Sequence, residues 1–472
     1  MITLPAITQE HLNKIRDFYE IHSLKLSWAA RSYRRLLAYY YNLLIPANAS
    51  VLEIGCGGGE LLKSIIADRK VGVDVSEHQI DSARTQVPEG EFHVQSGEAL
   101  NLEGKFDVIV ISDTLNLAAD VQQLFSQIQQ LSHENTRLIV NFYSSLWRPL
   151  LAVAGWFGLR SKQPISSWLS TSDVHNLMQL SDWQPVFTQI RLLIPVKFFG
   201  IDVLINRIFA PFLGWFCLTV FCVARPLPQS RRTPGIVSVV VPARNESGNI
   251  EAAVQRTTEM GAGTELIFVE GHSTDNTWEE IQRVAQAYPE RRIKIMQQSG
   301  KGKGDAVRCG FAAATGDMLM ILDADLTMPP EELPKFYEVL ASGRAEFANG
   351  VRLVYPMDEK AMQFLNLCAN KTFGIIFSWL LGQTVKDTLC GTKVLSRAHY
   401  EQIAANRAYF GDFDPFGDFD LLFGAAKLNL KISDVPIRYR ERTYGSTNIN
   451  RWSHGWLLLR MVQFAARKLK FV

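Results

Sequence analysis

Short apolar runs alternating with amphipathic stretches begin at Val51, break off near Pro226 and begin again at Ile236, and this interrupted rhythm limits the fold more than any other feature. Apolar runs of four to eight residues read as buried strands, and strands separated by helical stretches need crossover connections. Such connections make parallel sheets. At 472 residues the chain is long for one core, so two α/β domains are expected. The halves share no motif and no repeat, which excludes a duplication.

In the first half, residues 8–45 carry helical periodicity and many tyrosines. A strand at 51–54, a glycine turn, a helix and a strand at 70–75 follow, and the rhythm continues through FHVQ, FDVIVIS and RLIVNFYS to LTVFCVARP at 218–226. There the composition turns polar and proline-bearing, LPQSRRTPG. The expected boundaries are therefore a first domain at 1–225, a linker at 226–235 and a second domain at 236–472. The second domain opens with IVSVVVPARNE, then alternates through a helix near 249–260, ELIFVEG, a further helix, RIKIMQQ and MLMILDADL.

With 47% hydrophobic and 20% charged residues, the composition is that of a globular protein. It excludes a disordered or nucleic-acid-coating chain, so no nucleic acid partner is expected. Six cysteines, Cys56, Cys217, Cys222, Cys309, Cys368 and Cys390, show no CxxC spacing and no nearby histidine pairs. That argues against zinc or a disulfide framework and for a reducing, cytosolic compartment. The N-terminus lacks the apolar segment of a secretory signal. The most apolar stretch, 201–224, is interrupted by Asp202, Asn206, Arg207 and Pro211. Its uninterrupted part falls short of the roughly 20 residues a spanning helix needs, leaving the closing strands of the first domain or contact with a membrane surface.

VLEIGCGGGE places Gly55, Gly57 and Gly59 between a strand and a helix, a spacing that lets the backbone approach a ligand and aims helix N–H groups at it. The next strand ends in VGVDVS, which puts Asp74 where a carboxylate accepts the hydroxyls of a ribose. With Glu53 and the strand order, residues 1–225 resemble the class I S-adenosylmethionine-dependent methyltransferases, which implies a Rossmann-like sheet. On that resemblance Glu53 supports the turn, Asp74 holds the ribose and Glu98 lies near the adenine of S-adenosylmethionine; binding of NAD is the alternative. Asp113, Asn116 and Tyr143 follow strands at the carboxyl edge of the sheet and either face a methyl acceptor or serve as capping and packing residues. His78 and His133 read as solvated.

In the second half VSVVVPARNESGNI turns at Pro242 and presents Arg244, Asn245 and Glu246. LIFVEGHSTDNT puts Glu270 after the next strand, and MLMILDADL supplies Asp323 and Asp325 around Ala324. Two carboxylates two residues apart at a strand end can hold Mg²⁺ or Mn²⁺, a hard cation that bridges diphosphate oxygens. Lys301 and Lys303 either meet phosphate or stay solvated. These segments resemble the family 2 glycosyltransferases of GT-A fold. The resemblance implies a nucleotide-sugar-binding α/β domain, a metal on Asp323 and Asp325, and contacts to a GDP- or UDP-hexose from Pro242, Arg244, Asn245, Glu246, Glu270 and Asp323. Where the family has Asp-Asp, this chain has Glu270-Gly271, which leaves the base open.

DTLCGTKVLSR (387–397) and FGDFDLLFGAA also match the family, with Asp418 or Asp420 where members place a base or an acceptor contact. IRYRERTYGSTN (437–448) resembles the RxxGxSK segment of polyprenyl-phosphate hexosyltransferases of the dolichol-phosphate mannose synthase kind, with Thr447 and Asn448 in place of Ser and Lys. Arg442 would then clamp phosphate with its planar donor fork. The acceptor is expected to be a polyprenyl phosphate or a glycan.

The last segment, HGWLLLRMVQFAARKLKFV, sets Arg460, Gln463, Arg467 and Lys470 on one helical stripe and Leu457, Leu458, Met461, Val462, Phe464, Ala465 and Leu469 opposite it. It reads either as a helix lying on an anionic leaflet or as one packed on the core. The apolar stretch 364–382 carries the same pair of readings. The expectation is a cytoplasmic, bifunctional transferase held peripherally on the inner face of the membrane, with a non-catalytic first domain, or glycosylation of a protein or soluble glycan, as the alternatives.

Overall fold

The computed structural model describes residues 6–21, 28–156, 169–197, 200–228, 235–352, 364–406, 418–442, 444 and 451–471. The chain separates into two compact units, Met1–Leu227 and Pro228–Lys470, and each is an α/β structure built on a seven-stranded sheet.

The first sheet contains β1 (Ser50–Ile54), β2 (Arg69–Asp74), β3 (Glu91–Val94), β4 (Phe106–Ser112), β5 (Ser132–Tyr143), β6 (Trp183–Arg191) and β7 (Thr219–Pro226). Their order is β3-β2-β1-β4-β5-β7-β6. Val51, Leu52 and Ile54 of β1 and Val108 to Ile111 of β4 are all buried, as befits strands covered on both faces. The expectation of a parallel sheet holds for β1 to β5. It fails for β7, which lies antiparallel between β5 and β6. Nothing in an isolated apolar run states its direction; the eight buried positions of β7 fit either. Strand β6 escaped the sequence pattern because Gln184, Pro185 and Gln189 interrupt it. The stretch 201–224 is only partly a closing strand: Ile201–Ile208 is a helix and Gly214–Phe216 a 3₁₀ turn before β7 begins.

The second sheet contains β8 (Ile236–Ala243), β9 (Gly263–Glu270), β10 (Arg292–Gln297), β11 (Met318–Ile321), β12 (Phe347–Val351), β13 (Lys393–Ser396) and β14 (Ile432–Pro436), in the order β10-β9-β8-β11-β13-β12-β14. Strand β13 runs antiparallel to β11 and β12, while β8 to β11 are parallel. Two apolar clusters sandwich this sheet, one with Val240, Ile267, Leu319, Phe377 and Phe419, the other with Val239, Phe268, Met320 and Phe336.

In both sheets the order reverses beside the first strand of the unit, β1 against β4 and β8 against β11. A crevice opens at the carboxyl ends of strands at such a point. The glycine turn and the acidic pair stand at those two crevices.

Helix ends follow local chemistry. Ser76 caps the helix Glu77–Gln86 by accepting from Gln79 N, Asp120 caps Val121–Gln129 from Gln123 N, and Ser170 with Asp173 forms a capping box. The C-terminal helix Arg451–Ala465 buries Leu458, Met461 and Ala465 in the second unit's core. The face that could have rested on a leaflet is therefore the packed one, and the same holds for Phe377, Leu380 and Leu381 of the helix Phe364–Leu381. The side chain of Leu457 lies outside the described residues.

Candidate functional sites

The turn after β1 needs glycine for two separate reasons. Gly55 has φ +73°, and a Cβ there would stand 2.3 Å from Thr114 Oγ1. Gly57, φ +51°, donates its N–H to Asp74 Oδ2 at 2.9 Å. Asp74 Oδ1 accepts from Ser76 N at 3.0 Å, so one carboxylate ties the turn to the next helix. Burial raises the Asp74 carboxyl, against the N–H groups of Ser76 and Gly57 that favour its ionised form.

Gly55, Gly57, Asp74 and Glu98 all line one cavity of about 620 Å³, a size suited to a nucleoside-bearing ligand. Glu98 is fixed by Ala119 N at 2.9 Å and by the Ser96 hydroxyl. Glu53 and Gly59 stand behind that wall. Glu53 is buried with Oε2 lacking a hydrogen-bond partner, and burial pushes its carboxyl well up, reinforced by Glu60, Asp74 and Asp113 and opposed by Arg34. The glycine turn, the fixed carboxylates and the volume fit S-adenosylmethionine.

On the wall of the same cavity Asp113, φ +53°, accepts from Asn141 Nδ2 at 2.6 Å and from the Tyr33 hydroxyl at 3.2 Å. Burial lifts its carboxyl to about 6, with Arg34, Asn141 and Tyr33 pulling the other way. Tyr143 joins Asp113 on the cavity wall. Asn116 is buried and is not part of that wall.

Sequence reasoning missed Tyr33, Arg34 and Asn141. The signal was the tyrosine-rich amphipathic stretch before β1: the helices Ala6–Ile21 and Trp28–Leu44 bring Leu12, Ile15, Tyr19 and Tyr33 to the cavity. Glu20 of the first of them accepts from Glu77 N at 2.8 Å and Ser76 Oγ at 3.0 Å, an anion placed on a helix N-terminus. His78, read as solvated, also lines the cavity, whereas His133 sits beside Asp107 at 3.2 Å.

In the second unit the acidic pair follows β11. Lys303 Nζ, at the start of the helix Lys303–Ala313, lies 2.6 Å from Asp323 Oδ1. Burial would raise the Asp323 carboxyl, but Lys303, Lys393 and Arg352 together hold it below the ordinary range. Gly391 of the CGTK segment explains its own identity, because a Cβ there would fall 2.1 Å from Asp323 Oδ2 and 2.3 Å from Lys303 Nζ. Asp325 accepts from Thr327 Oγ1 at 2.8 Å and from Arg442 Nη2 at 2.6 Å.

Arg442 also donates from Nη1 to Glu246 Oε1 at 2.8 Å, and Glu246 is held in turn by Asn249 Nδ2 at 2.7 Å. Burial raises the Glu246 carboxyl against the pull of Arg442. The structure thus brings Glu246, Lys303, Asp323, Asp325 and Arg442 together from segments up to 196 residues apart. Arg442 stands as an ion-pair bridge between two carboxylates. Behind this group the half-buried Arg352 holds the buried Asp387 at 2.7 Å and 2.9 Å and anchors the start of the DTLCGTK segment.

The remaining residues take separate places. Asn245, φ +56°, accepts from Thr274 N at 2.8 Å. Glu270 is buried at the end of β9, bound by Ser273 N at 2.5 Å and Gln297 Nε2 at 3.1 Å. Pro242 is half-buried; Arg244 and Lys301 are exposed. Buried Gln298, after β10, has Oε1 without a hydrogen-bond partner, and its amide nitrogen lies about 3.5 Å from where a Cβ of Gly271 would be. Asp420 is buried on the helix Asp418–Lys427, while the side chain of Asp418, and Thr447 and Asn448, lie outside the described residues. Asp323 and Asp325 offer two hard oxygen donors, which fit Mg²⁺ or Mn²⁺ when diphosphate and water complete the shell. No cluster of three His, Cys, Asp or Glu side chains that could hold a metal occurs among the described residues.

Comparison with known proteins agrees with this division. Residues 26–187 match the family model described as Methyltransferase domain, and residues 238–403 match Glycosyl transferase family 2. A dolichol-phosphate mannosyltransferase of Pyrococcus furiosus is 38% identical over 120 residues, 25% of this chain and 33% of the relative. An undecaprenyl-phosphate 4-deoxy-4-formamido-L-arabinose transferase of Pectobacterium carotovorum is 26% identical over 215 residues, 45% of this chain and 62% of the relative. The chain therefore spans from one third to less than two thirds of the length of these curated relatives. A solved methyltransferase of Thermotoga maritima, described as a possible histamine N-methyltransferase, aligns with a TM-score of 0.32 at 16% identity, covering 41% of this chain and 90% of that one. The chain joins a methyltransferase domain to a family 2 glycosyl transferase domain, in that order.

Proposed function

We propose that the protein is a bifunctional transferase: a metal-dependent, inverting glycosyltransferase that moves a hexose from GDP- or UDP-hexose to a polyprenyl phosphate or glycan, and an S-adenosylmethionine-dependent methyltransferase. The observation that carries sugar transfer is the group Asp323–Lys303 and Asp325–Arg442–Glu246 at the end of β11. The names of the two curated relatives support a polyprenyl-phosphate acceptor.

Asp323 and Asp325 would hold Mg²⁺ or Mn²⁺, which supplies charge neutralisation to the departing nucleoside diphosphate. Lys303 and Arg442 would exchange their carboxylate partners for diphosphate or acceptor phosphate oxygens, a role that suits the planar fork of Arg442. Pro242, Arg244, Asn245, Glu246 and Glu270 would frame the nucleotide. A phosphate acceptor needs no base, and a hydroxyl acceptor would give its proton to Asp418 or Asp420.

In the first unit Gly55, Gly57, Asp74 and Glu98 would bind S-adenosylmethionine, with Glu53 and Gly59 shaping the turn. The cofactor supplies a methyl group activated on a sulfonium. Asp113, held by Asn141 and Tyr33, would take a proton from an acceptor hydroxyl or ammonium. Domain limits of 1–225 and 236–472 with a linker at 226–235, and a peripheral position on the inner face of the membrane, complete the proposal. Mass spectrometry of lipid-linked products made with a panel of nucleotide sugars, with and without S-adenosylmethionine, tests it. Absence of any lipid-linked sugar would exclude the polyprenyl acceptor, and absence of calorimetric S-adenosylmethionine binding would leave the first unit non-catalytic.

A further inference from the structure

The helix Ile201–Ile208 is built inside out. Its polar residues Asp202 and Asn206, four apart, are turned to the protein at 1% and 4% exposure. Asn206 accepts from Ile194 N at 2.9 Å and donates to Ile194 O at 2.7 Å. Its apolar residues Ile201, Val203, Leu204 and Ile208 face outward. A helix packed on a water-soluble core turns the opposite way.

Exposed apolar side chains continue beyond its end through Phe209, Phe212, Leu213, Phe216 and Trp215, the last 81% exposed. A second exposed row, Leu146, Leu150, Val153 and Trp156, is spaced at 4, 3 and 3 along the turn and helix at 145–156. Trp147 Nε1 donates to Phe216 O at 2.7 Å, and Ser144 N to Leu218 O at 2.7 Å, so the two rows are joined. Single exposed apolar residues are ordinary; a contiguous field of this kind marks a contact surface.

Its charge says what it contacts. Within the turn and helix at 145–156 the sequence has no Asp or Glu. From Trp183 to Leu218 the one acid is Asp202, which is buried, while Lys197 and Arg207 are exposed. Aromatic and aliphatic side chains among cations without anions suit an anionic lipid surface. The field is also continuous with the cavity: Trp147, Leu150, Leu151, Pro195 and Val196 line it together with Gly55, Gly57 and Asp74.

We propose that this face of the first unit docks on an anionic bilayer and that the methyl acceptor is a lipid-borne group entering the cavity from it. The acceptor assignment rests on the methyl-transfer reading; the docking face does not. In the transfer one sulfur–methyl bond breaks with its electron pair kept by sulfur, and one bond forms from the acceptor's lone-pair atom to the methyl carbon. The acceptor's proton passes to Asp113.

The test uses the full chain and vesicles of equal parts phosphatidylcholine and phosphatidylglycerol. The Leu204→Glu, Trp215→Glu double variant changes two exposed side chains outside the cavity wall, and its thermal melting and calorimetric S-adenosylmethionine binding are measured alongside. Vesicle partition is expected to fall by about tenfold or more, with cofactor binding unchanged. Unchanged partition overturns the docking face, and so does a dimer in solution that the variant dissociates, because a second copy then covers it. A second arm adds vesicles of native lipid extract and methyl-labelled S-adenosylmethionine. Label in the chloroform-soluble fraction supports the acceptor, and label confined to water or absent from chloroform overturns it. If the wild type binds no S-adenosylmethionine, the methyl-transfer reading fails by itself while the partition result still decides the face.

Discussion

Arg442 and Asp325, 117 residues apart, meet at 2.6 Å, with the other arm of the same guanidinium on Glu246 at 2.8 Å. The bridge closes the acidic pair against the first loop of the second unit. Arg442→Ala leaves two carboxylates facing each other without their cation. Breaking such a partly buried pair from one side costs about 1–3 kcal/mol, and sugar transfer is expected to fall by about 100-fold or more through loss of phosphate stabilisation. Arg442→Lys keeps charge but not the fork and should recover less than half of the lost rate. Melting temperature and steady-state sugar transfer check both.

Asp323→Asn and Asp325→Asn should each abolish sugar transfer, and chelation by EDTA should do the same to the wild type until Mg²⁺ or Mn²⁺ is restored. S-adenosylmethionine binding, measured by calorimetry, should persist in all of these cases. Loss of both properties on changing Asp325 would mean that the two sites are not independent.

Gly55→Ala adds a Cβ 2.3 Å from Thr114 Oγ1 at a left-handed φ of +73°. The backbone term alone is about 1–2 kcal/mol, so S-adenosylmethionine affinity should drop by about tenfold or more. Gly391→Ala is the counterpart in the second unit, driving its methyl group into Asp323 and Lys303. It should reduce sugar transfer while leaving cofactor affinity within twofold of the wild type.

Asp113 sets a pH dependence whose two signs oppose each other. Its carboxyl is held at about 6 in the fold and titrates near 3.9 when unfolded. Between those values the folded chain keeps the proton that the unfolded chain has lost. Stability therefore falls as pH rises through this window, by at most about 3 kcal/mol. Methyl transfer should rise through the same window as the carboxylate forms. Asp113→Asn should raise the melting temperature at neutral pH and remove the inflection near 6 from the rate profile, leaving S-adenosylmethionine affinity unchanged.

Much of this protein was legible along the chain because its two sites begin in contiguous segments. Gly55, Gly57 and Asp74 lie within 20 residues and announce a turn that only glycine can make. Asp323 and Asp325 announce a strand end rich in hard oxygen donors. The direction of β7 and the existence of β6 were not legible, since strand pairing is a property of neighbours that an apolar run does not name. The stretch 201–224, read as closing strands or as contact with a membrane surface, forms a helix and a 3₁₀ turn before its strand, for a related reason: hydrophobic content says that a segment avoids water, not which element it forms or which side of it the protein occupies.

The sequence by itself determined two α/β units, the places of their crevices and the residue types that stand in them, because βαβ rhythm and glycine conformational freedom are local properties. Only the tertiary structure decided what those residues do to one another. It brought Tyr33 and Asn141 onto Asp113, closed Arg442 across Glu246 and Asp325, and set Lys303 on Asp323. It also turned the apolar side of the C-terminal helix into the core and left that of Ile201–Ile208 outside. Ion pairs and burial depend on distances between segments far apart in the chain, and those distances exist only once both sheets have formed.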